Sequence, residues 1–234
     1  MKVINLSLVL ISSISTTSPL TLHYPCSKEY SLESILYHSC IPAMCGMVTR
    51  EEFLSQNMAD NLMTEVHSLV NNKHKVFTAM DLHTHTMVRE GVTEKMGDGR
   101  DSKLCEMLSP LIENVRMLVK KEFNTSTMFL SYPLVVSLIS PGPTVVPYTL
   151  PHVDLYSYDN TAPHITAVLY LAGRGVEGGG LHIQGSGVVT PARGGLVLFT
   201  AGEENTHWVE EVTRGTRVAV TIFWSCDKDM RLKI

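Results

Sequence analysis

Residues 194–224, GGLVLFTAGEENTHWVEEVTRGTRVAVTIFW, decide the fold. They hold three short runs rich in Val, Leu, Ile and aromatic residues, which polar segments separate. Similar runs stand at 129–139 (FLSYPLVVSLI), 164–172 (HITAVLYLA) and 179–185 (GGLHIQG). Short β-prone runs with turn-forming residues between them are typical of a β-sandwich or barrel. Residues 124–227 are therefore predicted to form one compact β core.

The last run, RVAVTIFW (217–224), alternates between two kinds of side chain. Successive residues of a strand point to opposite faces. The core face would carry Val218, Val220, Ile222 and Trp224. The other face begins with Arg217 and includes Thr221, and these two suit a site for a carboxylate, because guanidinium and hydroxyl groups donate hydrogen bonds to it. In HITAVLYLA, Tyr170 is expected to point its phenol into the same cavity.

The segment PHVDLY (151–156) places His152 and Asp154 two residues apart. On a strand these side chains share a face, whereas on a helix they would diverge by roughly 200°. His207 could lie beside them on a neighbouring strand. Two imidazoles and one carboxylate that leave the opposite side of a metal open are typical of non-haem Fe(II), which binds a co-substrate and dioxygen there.

Each of these residues has a competing interpretation. Arg217 could pair with a glutamate at 203, 204 or 210, and Tyr170 could serve packing alone. His164 and His182 are expected on the surfaces of strands. Asp81, His83 and His85 in DLHTHTM form a rival metal site, although on one strand the outer two would lie ~13 Å apart.

Composition limits the classes of function. The chain has 234 residues, 44% of them hydrophobic, which suits one globular domain with an appended segment. Its net charge is -4 and no Lys or Arg run stands out, so nucleic-acid binding is disfavoured. HExxH is absent, which argues against a zinc hydrolase. The five cysteines form no CxxC; one local disulfide among the first three is allowed, with its pairing open.

The N-terminal half divides into three predicted segments. Residues 1–17 resemble a signal peptide or short signal-anchor, because Lys2 precedes an apolar run and then small polar residues; an ordinary first strand is the alternative. Residues 18–48 are predicted to be an irregular, cysteine-containing lead-in. Residues 49–123 are predicted to be a helical support region. Its first helix would start at a capping box formed by Thr49 and Glu52, and a later one would start anew at Pro110 after Ser109.

The spacing of the polar residues and the strand pattern together resemble a known family. HxD at 152–154, the distal His207 and a basic residue ten positions later are similar to the 2-oxoglutarate- and Fe(II)-dependent oxygenases of the prolyl 4-hydroxylase superfamily. The likeness is closest to the oxygenase domain-containing proteins of the secretory pathway. It covers most of residues 26–227. One departure is Ser140, where the family often has a tyrosine before the PG turn.

The resemblance implies an α+β fold: a double-stranded β-helix, or jelly roll, with N-terminal supporting helices. The implied iron ligands are His152, Asp154 and His207. Arg217 would bind the distal carboxylate of 2-oxoglutarate, with help from Tyr170 and Thr221. The implied reaction consumes O2, is supported by ascorbate and releases succinate and CO2.

The family leaves the substrate open, with protein prolyl or lysyl side chains and small molecules as candidates. The implied location is the lumen of the endoplasmic reticulum, with the N-terminus as a route of membrane attachment. The alternative function is a jelly-roll module that binds a metal or ligand without turnover. The intact HxD, His207 and Arg217 argue against that alternative.

Overall fold

The computed structural model describes residues 20–70, 76–81, 86–89, 92–95, 100–131, 134–141, 150–156, 163–172 and 175–230. The predicted signal sequence and two members of the rival metal site, His83 and His85, lie outside these ranges. The helices are α1 (Lys28–Leu36), α2 (Gln56–Val70) and α3 (Arg100–Phe123). The strands are β1 (Thr21–Tyr24), β2 (Cys45–Arg50), β3 (Val76–Asp81), β4 (Thr86–Arg89), β5 (Val92–Lys95), β6 (Phe129–Leu130), β7 (Leu134–Ile139), β8 (Ile165–Tyr170), β9 (Glu177–Gly178), β10 (Leu181–Ile183), β11 (Gly187–Val189), β12 (Leu196–Thr200), β13 (His207–Val209), β14 (Val212–Arg214) and β15 (Arg217–Ser225).

The strands form a large and a small antiparallel sheet. The major sheet has the order β1-β2-β12-β8-β15-β7-β3-β4-β5, and β6 also pairs with β15. The minor sheet has the order β11-β10-β13, and β14 and β9 form a separate ribbon. Apolar side chains of both sheets meet in one cluster between them. This architecture confirms the predicted α+β jelly roll with supporting helices.

The face of the major sheet away from the minor sheet packs against the helices. We call this the outer face, and its apolar residues the outer cluster. Helix α2 contributes Leu62 and Val66 at helical spacing, and α3 contributes Leu104, Leu108 and Ile112. The four residues predicted to form the core face of β15, Val218, Val220, Ile222 and Trp224, all lie here. The outer cluster therefore fixes the strands that carry the polar residues on their other face.

The face of the major sheet toward the minor sheet is the inner face. Apolar residues of this face and of the minor sheet pack together, and we call them the inner cluster. The buried members are Met47, Val168, Tyr170, Leu181, Ile183, Val197, Phe199, Val209 and Ala219. Arg217 and Thr166 are buried polar residues on the same strands. The inner face thus combines a small apolar cluster with buried polar side chains.

Two predicted helix boundaries are wrong. Thr49 lies in β2, and α2 begins at Gln56, where the Oγ of Ser55 accepts a hydrogen bond from the Met58 N–H at 3.2 Å. Pairing of β2 with both β1 and β12 outweighs the local capping signal. Helix α3 continues through Pro110 instead of restarting there. Its buried residues before and after the proline pack in the same outer cluster, which compensates for the lost backbone hydrogen bond.

The predicted irregular lead-in is also wrong, because it contributes β1, α1 and β2. Two disulfides hold it, Cys26–Cys45 and Cys40–Cys226. The first is the local bridge that the sequence allowed, whereas the second joins residues 186 positions apart. The side chain of Cys105 lies outside the described part of the structure. Within the described ranges, no helix combines the length and apolar character needed to cross a membrane.

His164 is not the surface residue that the sequence predicted. Its side chain is fully buried, beside the rings of Tyr30 and Tyr37. Its Nδ1 accepts a hydrogen bond from the Cys226 N–H at 3.0 Å. Burial lowers the pKa of His164 from 6.5 to about 4, although the charge of Asp227 opposes that shift. The imidazole is therefore a neutral acceptor that supports the backbone next to the long-range disulfide.

Candidate metal centre and co-substrate pocket

The two predicted histidine ligands are neighbours through backbone pairing. His152 forms an isolated antiparallel bridge with His207, the first residue of β13. Their backbone hydrogen bonds measure 2.9 and 3.0 Å. Asp154 begins a short 3-10 turn, Asp154–Tyr156, and is not on a regular strand as the sequence predicted. The Leu155 N–H donates to the Ala201 carbonyl at 2.9 Å, which holds this turn against the end of β12.

The three side chains converge. One ligand atom from each of His152, Asp154 and His207 lies within 4.8 Å of the others. The Nε2 of His152 is 3.7 Å from Asp154 Oδ1, and the Nε2 of His207 is 3.6 Å from Asp154 Oδ2. Ligands about 2 Å from one ion would be spaced in this way. The described residues include no other cluster of this kind.

Hydrogen bonds at Nδ1 set the tautomer of both imidazoles. The Nδ1 of His152 is 2.9 Å from the Leu150 carbonyl oxygen, and the Nδ1 of His207 is 2.9 Å from the Asn205 carbonyl oxygen. A carbonyl oxygen can only accept, so Nδ1 carries the hydrogen in each ring. In the neutral form of either ring, the lone pair of Nε2 then points toward Asp154. This is the tautomer that a metal requires from a histidine bound through Nε2.

Burial and charge act together on His207. Its side chain is 7% exposed, against 32% for that of His152. Burial lowers the pKa of His207 and the neighbouring His152 lowers it further, whereas Asp154 raises it; the net direction is downward. The edge of the His207 ring meets Phe199 with ring centres 4.8 Å apart. His207 is therefore favoured as a neutral ligand at the border of the inner cluster.

Thr166 holds Asp154, a role that the sequence did not indicate. Its hydroxyl donates to Asp154 Oδ2 at 2.6 Å. Thr166 is 1% exposed, so this bond is protected from water. The only sequence feature that pointed to this role was the alternation in β8, which places Thr166 on the same face as Tyr170. Groups that orient a ligand in this way commonly change metal affinity when they are removed.

Arg217 begins β15, as predicted, and is 3% exposed. Its Nε donates to the Gly179 carbonyl at 3.0 Å, and Nη1 makes a long 3.5 Å contact with the hydroxyl of Ser137. A Cβ at Gly179 would meet the Arg217 Cδ at 3.0 Å, and Gly179 has a φ of +69°. Glycine is thus favoured at 179 by both the turn and the arginine.

The competing ion pairs for Arg217 are not formed. Glu210 instead contacts His182 at 2.9 Å, and Glu204 accepts from the Thr200 hydroxyl at 2.8 Å. Among the described residues, no acidic side chain forms an ion pair with Arg217. A buried guanidinium without a carboxylate is costly, so such a group typically receives an anion from a ligand.

Tyr170 lies beside Arg217. The guanidinium carbon is 5.2 Å from the centre of the tyrosine ring. The Tyr170 hydroxyl is buried and has no hydrogen-bond partner within the described part of the chain. Burial raises the pKa of Tyr170, and the nearby charge of Arg217 opposes this only in part, so the phenol stays protonated. It can therefore donate a hydrogen bond to a carboxylate.

Thr221 is partly exposed and pairs with Val168 in the register of β15 with β8. It stands on the same face as Arg217, as the alternation predicted. Phe199, which contacts His207, packs in the same inner cluster as Tyr170 and Val168. His207 and Arg217 therefore both border the inner cluster, His207 through Phe199 and Arg217 through Tyr170.

Comparison with known proteins agrees with this geometry. The family model of the 2OG-Fe(II) oxygenase superfamily matches residues 146–225, which contain the triad and Arg217. This match spans about a third of the chain. The chain is 28% identical over 228 residues to "2-oxoglutarate and iron-dependent oxygenase domain-containing protein 3" of Xenopus tropicalis, an alignment that covers 88% of this chain and 71% of that protein.

Solved structures show the same fold. A prolyl hydroxylase from Trichoplax adhaerens, in complex with a peptide fragment of a hypoxia inducible factor oxygen degradation domain, gives a TM-score of 0.55 at 17% identity, covering 88% of this chain and 96% of that chain. A prolyl-4-hydroxylase from Pseudomonas putida gives 0.52 at 20% identity, covering 77% and 92%. The jelly roll with supporting helices is therefore shared with prolyl hydroxylases.

The donor set fits the two groups that the matched family model implies. Two imidazoles and one carboxylate can hold Fe(II) and leave other coordination positions free. The buried, unpaired Arg217 and the unpartnered Tyr170 hydroxyl can receive one carboxylate of a dicarboxylate such as 2-oxoglutarate. Both halves of the expected site thus border the same inner cluster.

Proposed function

We propose that this protein is an Fe(II)- and 2-oxoglutarate-dependent dioxygenase that hydroxylates a protein side chain. The observation that carries the proposal is that two features border the same inner cluster. His152, Asp154 and His207 have ligand atoms within 4.8 Å of one another. Arg217 is 3% exposed and has no acidic partner among the described residues.

Two groups of residues would have separate roles in this reaction. His152, Asp154 and His207 would hold Fe(II), and Arg217, Tyr170 and Thr221 would bind the distal carboxylate of 2-oxoglutarate. When bound, iron and 2-oxoglutarate supply an oxidative decarboxylation that consumes O2, releases succinate and CO2, and delivers oxygen to the substrate. The inner cluster excludes water around this site, and the buried guanidinium fixes the direction of the co-substrate.

Prolyl residues are the substrate that we propose first, and lysyl residues second. The solved structures of similar fold include prolyl hydroxylases, and one of them was solved with a peptide. Their identity to this chain is 20% or lower, so the support concerns the shape of the scaffold. Succinate release in the presence of proline-containing peptides, lysine-containing peptides and no peptide would rank the candidates.

The direct test measures succinate release with Fe(II), 2-oxoglutarate and O2. We expect His152→Ala to reduce release at least a hundredfold, because one of three metal ligands is lost. His182→Ala is the matched control, since His182 stacks on Trp208 and contacts Glu210 but is not part of the triad. Equal release from wild type and His152→Ala would contradict the proposal. If the protein binds metal but releases no succinate under any condition, the alternative function is favoured, a jelly-roll module that binds a metal or ligand without turnover.

We also propose that the protein enters the secretory pathway and works in the lumen of the endoplasmic reticulum, with ascorbate as a supporting reductant and the N-terminus as a route of membrane attachment. The support is the disulfides Cys26–Cys45 and Cys40–Cys226, since such bonds persist mainly in oxidising compartments. Cell fractionation with alkylation of free thiols would test this. A cytosolic protein with reduced cysteines would contradict it.

A further inference from the structure

Asn205 connects the N-terminal lead-in to the histidine side of the metal centre. It ends the 3-10 turn Glu203–Asn205 and is 1% exposed. Its carbonyl oxygen accepts the hydrogen bond from the Nδ1 of His207 at 2.9 Å. The position of this one carbonyl therefore sets both the tautomer and the orientation of the His207 ring.

The side chain of Asn205 is held on both of its polar atoms. Its Nδ2 donates to the carbonyl and hydroxyl oxygens of Thr200 at 2.8 and 2.9 Å, and makes a longer 3.4 Å contact with the Gly46 carbonyl. Its Oδ1 accepts a hydrogen bond from the Tyr24 hydroxyl. A buried amide with every polar atom bonded resists rotation and holds its own backbone in place.

The partners of this turn belong to the disulfide-closed end of the lead-in. Tyr24 pairs with Cys45 in the register of β1 and β2, and Cys45 is bonded to Cys26. The Ser27 N–H, one residue after Cys26, donates to Glu204 Oε2 at 3.1 Å. Two successive residues before His207 are thus anchored by a segment nearly 180 positions earlier in the sequence.

We propose that Asn205 is the positioning residue for His207, and that through it the lead-in closed by Cys26–Cys45 determines the affinity of the triad for its metal. The inference rests on the proposed metal site. No atom of the lead-in needs to touch the metal for this effect. If the Asn205 turn loosens, the His207 ring gains rotational freedom that metal binding must then remove, and affinity falls.

The test measures Co(II) affinity of the full chain by visible absorption, together with the melting temperature of the metal-free protein. Removing an outer partner of a metal ligand typically weakens binding about 10- to 100-fold. Asn205→Ala keeps the carbonyl that accepts from His207 and removes only the side-chain bonds that hold it, so we expect a weakening of about 10-fold, at the lower end of that range. Tyr24→Phe removes only one hydrogen bond and should weaken binding by a smaller factor. The double variant Cys26→Ser/Cys45→Ser should also weaken binding.

Ser225→Ala is the matched control. Ser225 is a fully buried polar residue whose hydroxyl bonds to His164 and the Asp227 N–H, away from the triad. It should lower the melting temperature and leave Co(II) affinity within twofold of wild type. Asn205→Ala with a lower melting temperature but unchanged affinity would overturn the inference.

Three further outcomes distinguish a failure of the inference from a failure of the proposed metal site. If Asn205→Ala does not fold, Tyr24→Phe decides, and unchanged affinity in that variant overturns the inference. If wild type and His152→Ala bind Co(II) equally, the proposed metal site fails and the inference fails with it. A third result would overturn the inference but leave the proposed metal site standing. In it, His152→Ala abolishes Co(II) binding, whereas Asn205→Ala and Tyr24→Phe bind Co(II) as tightly as wild type.

Discussion

The two faces of the major sheet use the same strands for opposite purposes. On β8 and β15 the outer face carries Leu169, Val220 and Trp224, each at most 1% exposed and packed in the outer cluster. The inner face of the same strands carries Thr166 and Arg217, which are just as inaccessible to water but polar. The side chains on the two faces are therefore buried to a similar degree, but they differ in polarity and in the groups that they contact.

The difference shows what burial costs on each side. An apolar side chain on the outer face contributes stability in proportion to the area it removes from water. A guanidinium on the inner face opposes folding unless an anion reaches it. The outer face, with the larger apolar cluster, therefore supplies most of the apolar stabilisation, and the inner face can keep polar groups prepared for ligands. Three substitutions sharpen this contrast.

Leu169→Ala should have the largest effect and should act on stability. Truncating a fully buried leucine leaves a cavity and typically costs 2–5 kcal/mol, about the range we expect here. Urea unfolding of the metal-free protein measures it. Co(II) affinity should stay within twofold of wild type, because Leu169 faces the helices. A loss of affinity as large as the loss of stability would break the division between the two faces.

Arg217→Met should act in the opposite way. Removing the buried, unpaired charge should leave the ligand-free protein as stable as wild type or more so. Two lost charge-assisted hydrogen bonds of about 1.5 kcal/mol each predict a roughly 100-fold weaker affinity for 2-oxoglutarate. Anaerobic calorimetry on metal-loaded protein measures this. Arg214→Met is the control, since Arg214 forms an exposed pair with Glu177. If Arg217→Met binds 2-oxoglutarate as tightly as wild type, Arg217 is not part of the co-substrate site and the proposed pocket is wrong.

His164→Asn should have the smallest effect, and it concerns pH. The folded pKa of His164 is about 4, against 6.5 in the unfolded chain, so the unfolded state binds the extra proton between these values. Stability should be constant above pH 6.5 and should fall as pH drops, by about 2 kcal/mol between pH 6.5 and 5 at 1.36 kcal/mol per unit. The asparagine keeps an acceptor for the Cys226 N–H and cannot titrate, so that decline should be reduced.

Urea unfolding at several pH values checks this prediction, with His182→Asn as the control for a partly exposed histidine. An equal decline in wild type and His164→Asn would show that other groups cause the acid sensitivity. In that case the surroundings of His164, which include Tyr30 and Cys226 of the outer cluster, would tolerate the charged imidazole, and the contrast with Arg217 on the inner face would weaken.

Local periodicity explains which parts of the sequence could be interpreted correctly. The alternation in 217–224 predicted both faces of β15, because a strand in a two-sided environment repeats every two residues. Thr49 misled for the converse reason: its capping pattern is genuine, but pairing of β2 with β1 and β12 prevents a helix there. Pro110 misled likewise, since packing on both sides of it keeps α3 continuous.

The sequence by itself determined the residue types of the site, because HxD and the position of Arg217 follow from the chemistry of a metal and a carboxylate. Only the tertiary structure decided what holds those residues in place. Thr166 on Asp154, Asn205 on His207 and the Cys40–Cys226 bridge have no local pattern, and Tyr24 meets Asn205 across 181 positions. Such contacts depend on how the strands are ordered in the sheets, and no periodic pattern along the chain carries that order.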